Sequence, residues 1–217
     1  MSLVKYNQDV SFTYNTLDSH SNHCVTRITR QGKVWERKIF NAYKKVCNKL
    51  STAIDVGGYI GSHALPMSHY AEKVYVFEPH KELYKIIIQN IQQNNIDNIV
   101  PMSLGLSDVK GKTKFIERNT GTSRMQYLTR NKTDNEIETD TIDNIFKNHT
   151  NINLIKIDVE GHELEVLNGG KEVILNNRPV ILIETFKQNK HKIQTWCDFE
   201  DYNMTSMGGD DYYLEPQ

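Results

Sequence analysis

Four short apolar runs in this chain end in an acid: TAIDV, KVYVFE, NLIKIDVE and RPVILIE place Asp55, Glu78, Asp158 and Glu184 at what read as the carboxyl ends of strands. In a doubly wound sheet, ligands bind along that edge where strand order reverses. After Asp55 the chain passes through Gly57, Gly58 and Gly61. This spacing predicts a tight turn with close backbone approach to a ligand, and a helix from about Ile60 whose free N–H groups face it. A dinucleotide site would carry GxGxxG and a pyrophosphate there. Here the spacing is GGxxG, and a carboxylate two positions before Gly57 repels a pyrophosphate but suits a cationic amino group. The pattern points to S-adenosylmethionine rather than a nicotinamide dinucleotide. Glu78 follows at about the 20-residue offset where an acid accepts hydrogen bonds from ribose hydroxyls, and Pro79 ends its strand.

Methyl transfer to oxygen is an in-line displacement, in which orienting the two reactants is worth about 7–11 kcal/mol. The remaining need is to remove the hydroxyl proton, and Asp158 is the acid best placed to face the methyl group. An unperturbed Asp, with a pKa near ~3.9, is a poor base for an alcohol. Burial could raise that value, or a divalent cation held by Asp158 and Glu184 could acidify the hydroxyl. His162 and Glu160 in DVEGHE are further candidates, His162 having the more suitable pKa but also a place at a helix start. Glu163 suits that helix's dipole, and Lys156, in an otherwise apolar strand, is expected to pair with a neighbouring acid.

The elements that must hold these residues alternate. KELYKIIIQNIQQNN sets Leu83, Ile86, Ile87 and Ile91 on one helical face. GHELEVLNGGKEVILNN does the same with Leu164, Leu167, Val173 and Ile174, broken at Gly169-Gly170. Strands alternating with helices imply βαβ units and a mostly parallel α/β sheet with helices on both faces. Residues 1–50 read as a cap on the same domain, with a hairpin around Gln31-Gly32 and a helix through Val46. Residues 51–217 carry the main sheet, closed by an antiparallel pair turned at Gly208-Gly209.

The combination of AIDVGGYIG, VYVFEPHKELYKIIIQNIQQNN, LGLSD with GK, IETDTIDNI and NLIKIDVEGHELEVLNGG…RPVILIE resembles the FkbM-type methyltransferases, S-adenosylmethionine-dependent O-methyltransferases. The GKVWERKIF segment also fits, so the resemblance runs from about Gly32 to the C-terminal hairpin. It implies a class I, Rossmann-like mixed seven-stranded sheet. It also implies that Asp55, Gly57, Gly58, Gly61 and Ser62 form the cofactor turn, Glu78 and Pro79 the ribose site, and Leu106 and Ser107 in LGLSD the lip over the adenine. Asp158, His162 and Glu184 become the catalytic candidates. Where the family carries Ala-Asn, this chain has Gly58-Tyr59, so Tyr59 either covers the cofactor or packs. The sugar or glycan hydroxyl expected as acceptor comes from this resemblance.

Composition narrows the alternatives. With 26 basic and 27 acidic residues in 217, nothing marks a surface for long nucleic acid or a membrane. Three cysteines without a CxxC pair suggest a reducing compartment, and no apolar run approaches the roughly 20 residues of a membrane span. A soluble, cytoplasmic protein is expected. His20, His23 and Cys24 in HSNHC read as a surface loop, Ser123 and Arg124 in GTSRMQ as a loop near substrate, and Trp196 as core. Two other functions stay open: a nicotinamide-dependent oxidoreductase on the same architecture, and a cofactor-binding scaffold without catalysis. The acceptor's identity and the oligomeric state are not fixed by these residues.

Overall fold

A computed structural model describes residues 1–18, 23–116, 124–126 and 135–217. The chain opens with an antiparallel hairpin, β1 (Ser2–Lys5) and β2 (Ser11–Tyr14), followed by α1 (Cys24–Arg30) and α2 (Arg37–Val46). Then come β3 (Thr52–Val56), α3 (Ala64–Tyr70), β4 (Lys73–Phe77), α4 (Lys81–Gln93) and β5 (Ile99–Met102). A second sheet is built by β6 (Gly105–Leu106), β7 (Gly111–Ile116), β8 (Arg124–Gln126) and β9 (Asn135–Asp140). After α5 (Ile142–Phe146) follow β10 (Ile152–Ile157), α6 (Glu163–Asn168), α7 (Lys171–Asn177) and β11 (Val180–Glu184). The chain closes with α8 (Lys190–Phe199), β12 (Tyr202–Gly208) and β13 (Asp211–Pro216).

The main sheet has the order β12-β13-β11-β10-β3-β4-β5, parallel except for β13, which runs antiparallel to β11 and β12. This is the mixed seven-stranded sheet expected, and order reverses between β3 and β10. Alternation along the strands fills two cores. Ala53, Val74, Leu154 and Leu182 pack with α2, α3, α4 and the N-terminal hairpin, whereas Ile54, Ile155, Ile157, Ile181 and Ile183 pack with α5 to α8. Trp196 lies in the second core against Tyr202.

Three details differ from the sequence reading. The hairpin is at residues 2–14, not around Gln31-Gly32, because Asn7 makes the turn: its Oδ1 accepts from the backbone N–H of Asp9 and Val10, both at 2.8 Å. Gln31 instead caps α1, a helix that buries Val25 and Thr29 four positions apart and so reads as a β-rich run only while its face is unknown. The helix expected from Ile60 begins at Ala64, after a turn closed by Gly61 N–H donating to the Gly58 carbonyl at 2.7 Å. The second sheet had no counterpart in the sequence reading. Ser123 lies outside the described residues, and of Arg124 only the backbone in β8 is described.

Candidate active site

Period-two alternation decides what faces the site. Asp55, Lys156 and Glu184 follow Ala53, Leu154 and Leu182, so all three fall on the α2 side of the sheet. Register sets Lys156 opposite Asp55 on one neighbour and Leu182 on the other. Lys156 is only 2% exposed, with its Nζ 3.3 Å from Asp158 Oδ2. Burial would lower its pKa, but Asp158, Asp55, Glu36 and Glu184 outweigh burial and raise it, so the ammonium is firmly charged. One cation therefore faces four acidic side chains.

A cavity opens at the strand ends. Its sheet wall comes from Val56, Gly57, Phe77 and Glu78, continued by Asp158, Val159, Glu160 and Glu184. Leu104, Gly105 and Leu106 form one lip, and Tyr59, Ser62 and His63 another. Gly57 has φ +83, and a β-carbon there would fall 1.8 Å from the Asp158 carbonyl oxygen. Its glycine is needed for contact between strand ends as much as for any ligand. Gly58 is pressed on Val76 and Gly61 on Leu65, and neither lines the cavity.

Glu78 is buried at the cavity wall. Its Oε2 accepts from Tyr59 N–H at 2.9 Å and its Oε1 from His80 N–H at 2.8 Å, which fixes the carboxylate plane and leaves lone pairs for two further donors. Burial pushes its pKa up to about 7 against the pull of those two amides. Pro79 lines the cavity beside it. Asp55 sits deeper, fully buried and off the lining, and neither carboxylate oxygen completes a hydrogen bond of ordinary geometry. Burial raises its pKa, opposed by Lys156, His63 and the Ala64 amide.

The catalytic candidates separate. Asp158 and Glu184 both line the cavity. Burial first, and then Asp158, push Glu184 well up, so its carboxyl keeps a proton through neutrality. His162 is not brought to the cavity: buried, it meets Ser107 Oγ through Nε2 at 3.0 Å, with Nδ1 3.7 Å from Glu165 Oε2. Burial lowers its pKa, and the neutral ring ties the LGLSD segment to the start of α6. Ser107 is likewise behind the lip rather than in it.

The two acids weighed as cation ligands also part. Asp158 faces Lys156, whereas Glu184 gathers with Glu36 and Asp211, one oxygen of each within 4.8 Å of the others. Glu36 comes from the turn before α2, at φ +49. His63 Nε2 lies 3.2 Å from its carboxylate, and Tyr43 hydroxyl 2.6 Å from His63 Nδ1. Burial pushes the Glu36 carboxyl up, but the His63 hydrogen bond and charge, with Lys156, hold it below the usual range.

Nothing in the sequence pattern marks the N-terminal cap as a wall of the cavity. His23 and Cys24, read there as a surface loop, line it together with Val25 and Trp35. Tyr59 both packs and walls the site, its hydroxyl 2.7 Å from Thr26 Oγ1 and its ring 4.3 Å from that of His23. No periodicity reveals this, because the contact joins segments more than thirty positions apart.

Comparison with known proteins agrees with this geometry. The family model described as Methyltransferase FkbM domain matches residues 55–208. Hexuronic acid methyltransferase AglP of Haloferax volcanii is 32% identical over 117 residues, covering 53% of this chain and 48% of AglP, so the chain spans about half the length of that relative. Among solved structures, methyltransferase FkbM from Methylobacillus flagellatus is similar with TM-score 0.57 at 16% identity, over 88% of this chain and 52% of that one. SMU.1697c of Streptococcus mutans, solved in complex with SAH, is similar with TM-score 0.54 at 14% identity, over 82% of this chain and 93% of its own.

Proposed function

The chain belongs to the methyltransferase FkbM domain family, and from that membership we propose that it is an S-adenosylmethionine-dependent O-methyltransferase acting on a sugar or glycan hydroxyl. The observation that carries the cofactor reading is Glu78, buried at the end of β4, oriented by two backbone amides and open to the cavity. The residues present fit the cofactor. A rigid carboxylate suits two ribose hydroxyls, the Leu104–Leu106 lip suits an adenine face, and the buried acid of Asp55 behind the glycine turn suits an ammonium at that end. When bound, S-adenosylmethionine supplies an electrophilic methyl group on a sulfonium.

The chain's own part is positioning and proton handling. The cavity walls exclude water and align the reactants, which is where most of the acceleration of a displacement lies. Asp158, anchored by Lys156, is the carboxylate facing the cavity that takes up the acceptor's proton. Glu184, its carboxyl pushed well up chiefly by burial, stands at the same wall as a neutral donor available to the acceptor. The hexuronic acid methyltransferase AglP, as a relative, supports a sugar acceptor for this chain. A cytoplasmic setting belongs to the same reading, and no described helix is long and apolar enough to cross a membrane.

The test is methyl transfer from S-adenosylmethionine to a panel of methyl glycosides, read as the mass gain of one CH2. The reading expects a methyl ether on at least one glycoside, and its loss in Asp158→Ala with S-adenosylhomocysteine binding retained. Binding without transfer to any hydroxyl acceptor would leave the scaffold reading in its place, and transfer unaffected by Asp158→Ala would take the proton-accepting role from Asp158.

A further inference from the structure

Tyr59 stands in the glycine turn at φ +51, and among the described non-glycine residues with a positive φ it alone is aromatic. Asparagine and glycine take that angle readily, whereas a large side chain keeps it only where its surroundings impose it. Two contacts act on the residue from opposite ends. Its N–H donates to Glu78 Oε2 at 2.9 Å, and its hydroxyl lies 2.7 Å from Oγ1 of Thr26, a fully buried residue of α1. The ring meets that of His23 at 4.3 Å. Burial pushes the Tyr59 hydroxyl up to about 12, so it keeps its proton for the contact with Thr26.

The two amides on Glu78 differ in origin. That of His80 is two positions along the same turn, whereas that of Tyr59 comes from a neighbouring turn 19 positions away and has to be held there. The plane of the Tyr59 amide is fixed on its far side, where the Gly58 carbonyl accepts from Gly61 N–H at 2.7 Å. Its Cα is steadied through the side chain, and rotation about N–Cα is what relates the side chain to the amide. Resting on the methyltransferase reading above, we propose that Tyr59 is a positioning residue for the ribose site: α1 holds its side chain, and its amide in turn sets the Glu78 carboxylate for the ribose hydroxyls. The N-terminal cap thereby acts on cofactor recognition as well as walling the cavity. His23 and Thr26 precede the residues that match the family model, so the ribose acid of the shared domain is set in part from outside it.

The test is calorimetry on the full chain with S-adenosylhomocysteine and with its 2′-deoxy analogue, read as the ratio of the two affinities. A packing defect weakens both ligands together and leaves that ratio alone; a misplaced Glu78 lowers it. The proposal expects the wild type to favour the ribose ligand by at least about tenfold. Tyr59→Phe, which removes only the hydroxyl, should lower the ratio several-fold. Thr26→Val should do the same from the other side of the contact, and serves if Tyr59→Phe does not fold. The double variant should be no worse than either single one, because both remove one interaction, and Thr26→Ser should keep the wild-type ratio. A ratio unchanged in both folded single variants, losses that add in the double variant, or a wild type indifferent to the 2′-hydroxyl would each overturn the proposal with S-adenosylhomocysteine binding intact. Absence of that binding in the wild type would instead defeat the methyltransferase reading on which it rests.

Discussion

Glu78 joins cofactor affinity to pH at the scale of a single residue. Its carboxyl is pushed up to about 7, and a ribose needs the ionised form as acceptor, so S-adenosylhomocysteine affinity should rise as pH increases through about 7. In Glu78→Gln the pH dependence should flatten and binding weaken by roughly 10- to 150-fold, the equivalent of about 1.5–3 kcal/mol for a charged hydrogen bond. Calorimetry from pH 6 to 8 checks both. Lys156 makes the complementary case: Lys156→Met strands its carboxylates and should cost about 3–5 kcal/mol by urea unfolding at pH 8. That loss should shrink at pH 5, where protonation relieves the stranded charge. The sequence marked Lys156 and the strand-end acids because a charge in an apolar run is conspicuous. It could not mark Glu36, which looks like any exposed acid beside Arg37 until α2 folds over β10.

Elements carry the site by touching one another. The β3 turn lies so close to the end of β10 that Gly57→Ala would drive a β-carbon into the Asp158 carbonyl, at a backbone angle that favours glycine. We expect about 2–5 kcal/mol of destabilisation and loss of S-adenosylhomocysteine binding, measured by denaturant unfolding and calorimetry. At the break between α6 and α7, a β-carbon on Gly169 would fall 1.9 Å from the Ser107 carbonyl oxygen, so that glycine holds the segment behind the cavity lip. The strands, helices and C-terminal hairpin were legible because apolar periodicity and glycine turns mark them directly. The second sheet was not, since β6 has two residues and its partner β9 comes some thirty positions later. The first hairpin was hidden by an asparagine turn without glycine.

Across the whole molecule, buried acids set how stability responds to pH. Glu78 and Glu163 are raised to about 7 and Asp211 to about 6, each chiefly by burial, so the folded chain holds protons that the unfolded chain releases near pH ~4.3. The stability they contribute is fully present below the unfolded values and is lost as pH rises through about 7. Glu184 extends the trend above neutrality, and His162, lowered by burial, opposes it below its ordinary pKa. The melting temperature of the free chain should therefore fall between pH 5 and pH 8, and Glu184→Gln should lessen the slope. The cavity between the glycine turn, Glu78 and the Leu104–Leu106 lip is where the adenosyl cofactor is proposed to bind. Thermal unfolding with S-adenosylhomocysteine, and in parallel with NAD, tests it most directly. Ligand at a hundredfold its dissociation constant stabilises by about 2.7 kcal/mol, and a chain of this size shifts by roughly 2–4 °C per kcal/mol, so a rise of about 5–11 °C with S-adenosylhomocysteine is expected. The rise should be much smaller in Glu78→Gln and absent with NAD. No shift at saturating S-adenosylhomocysteine, or a shift with NAD alone, would contradict it.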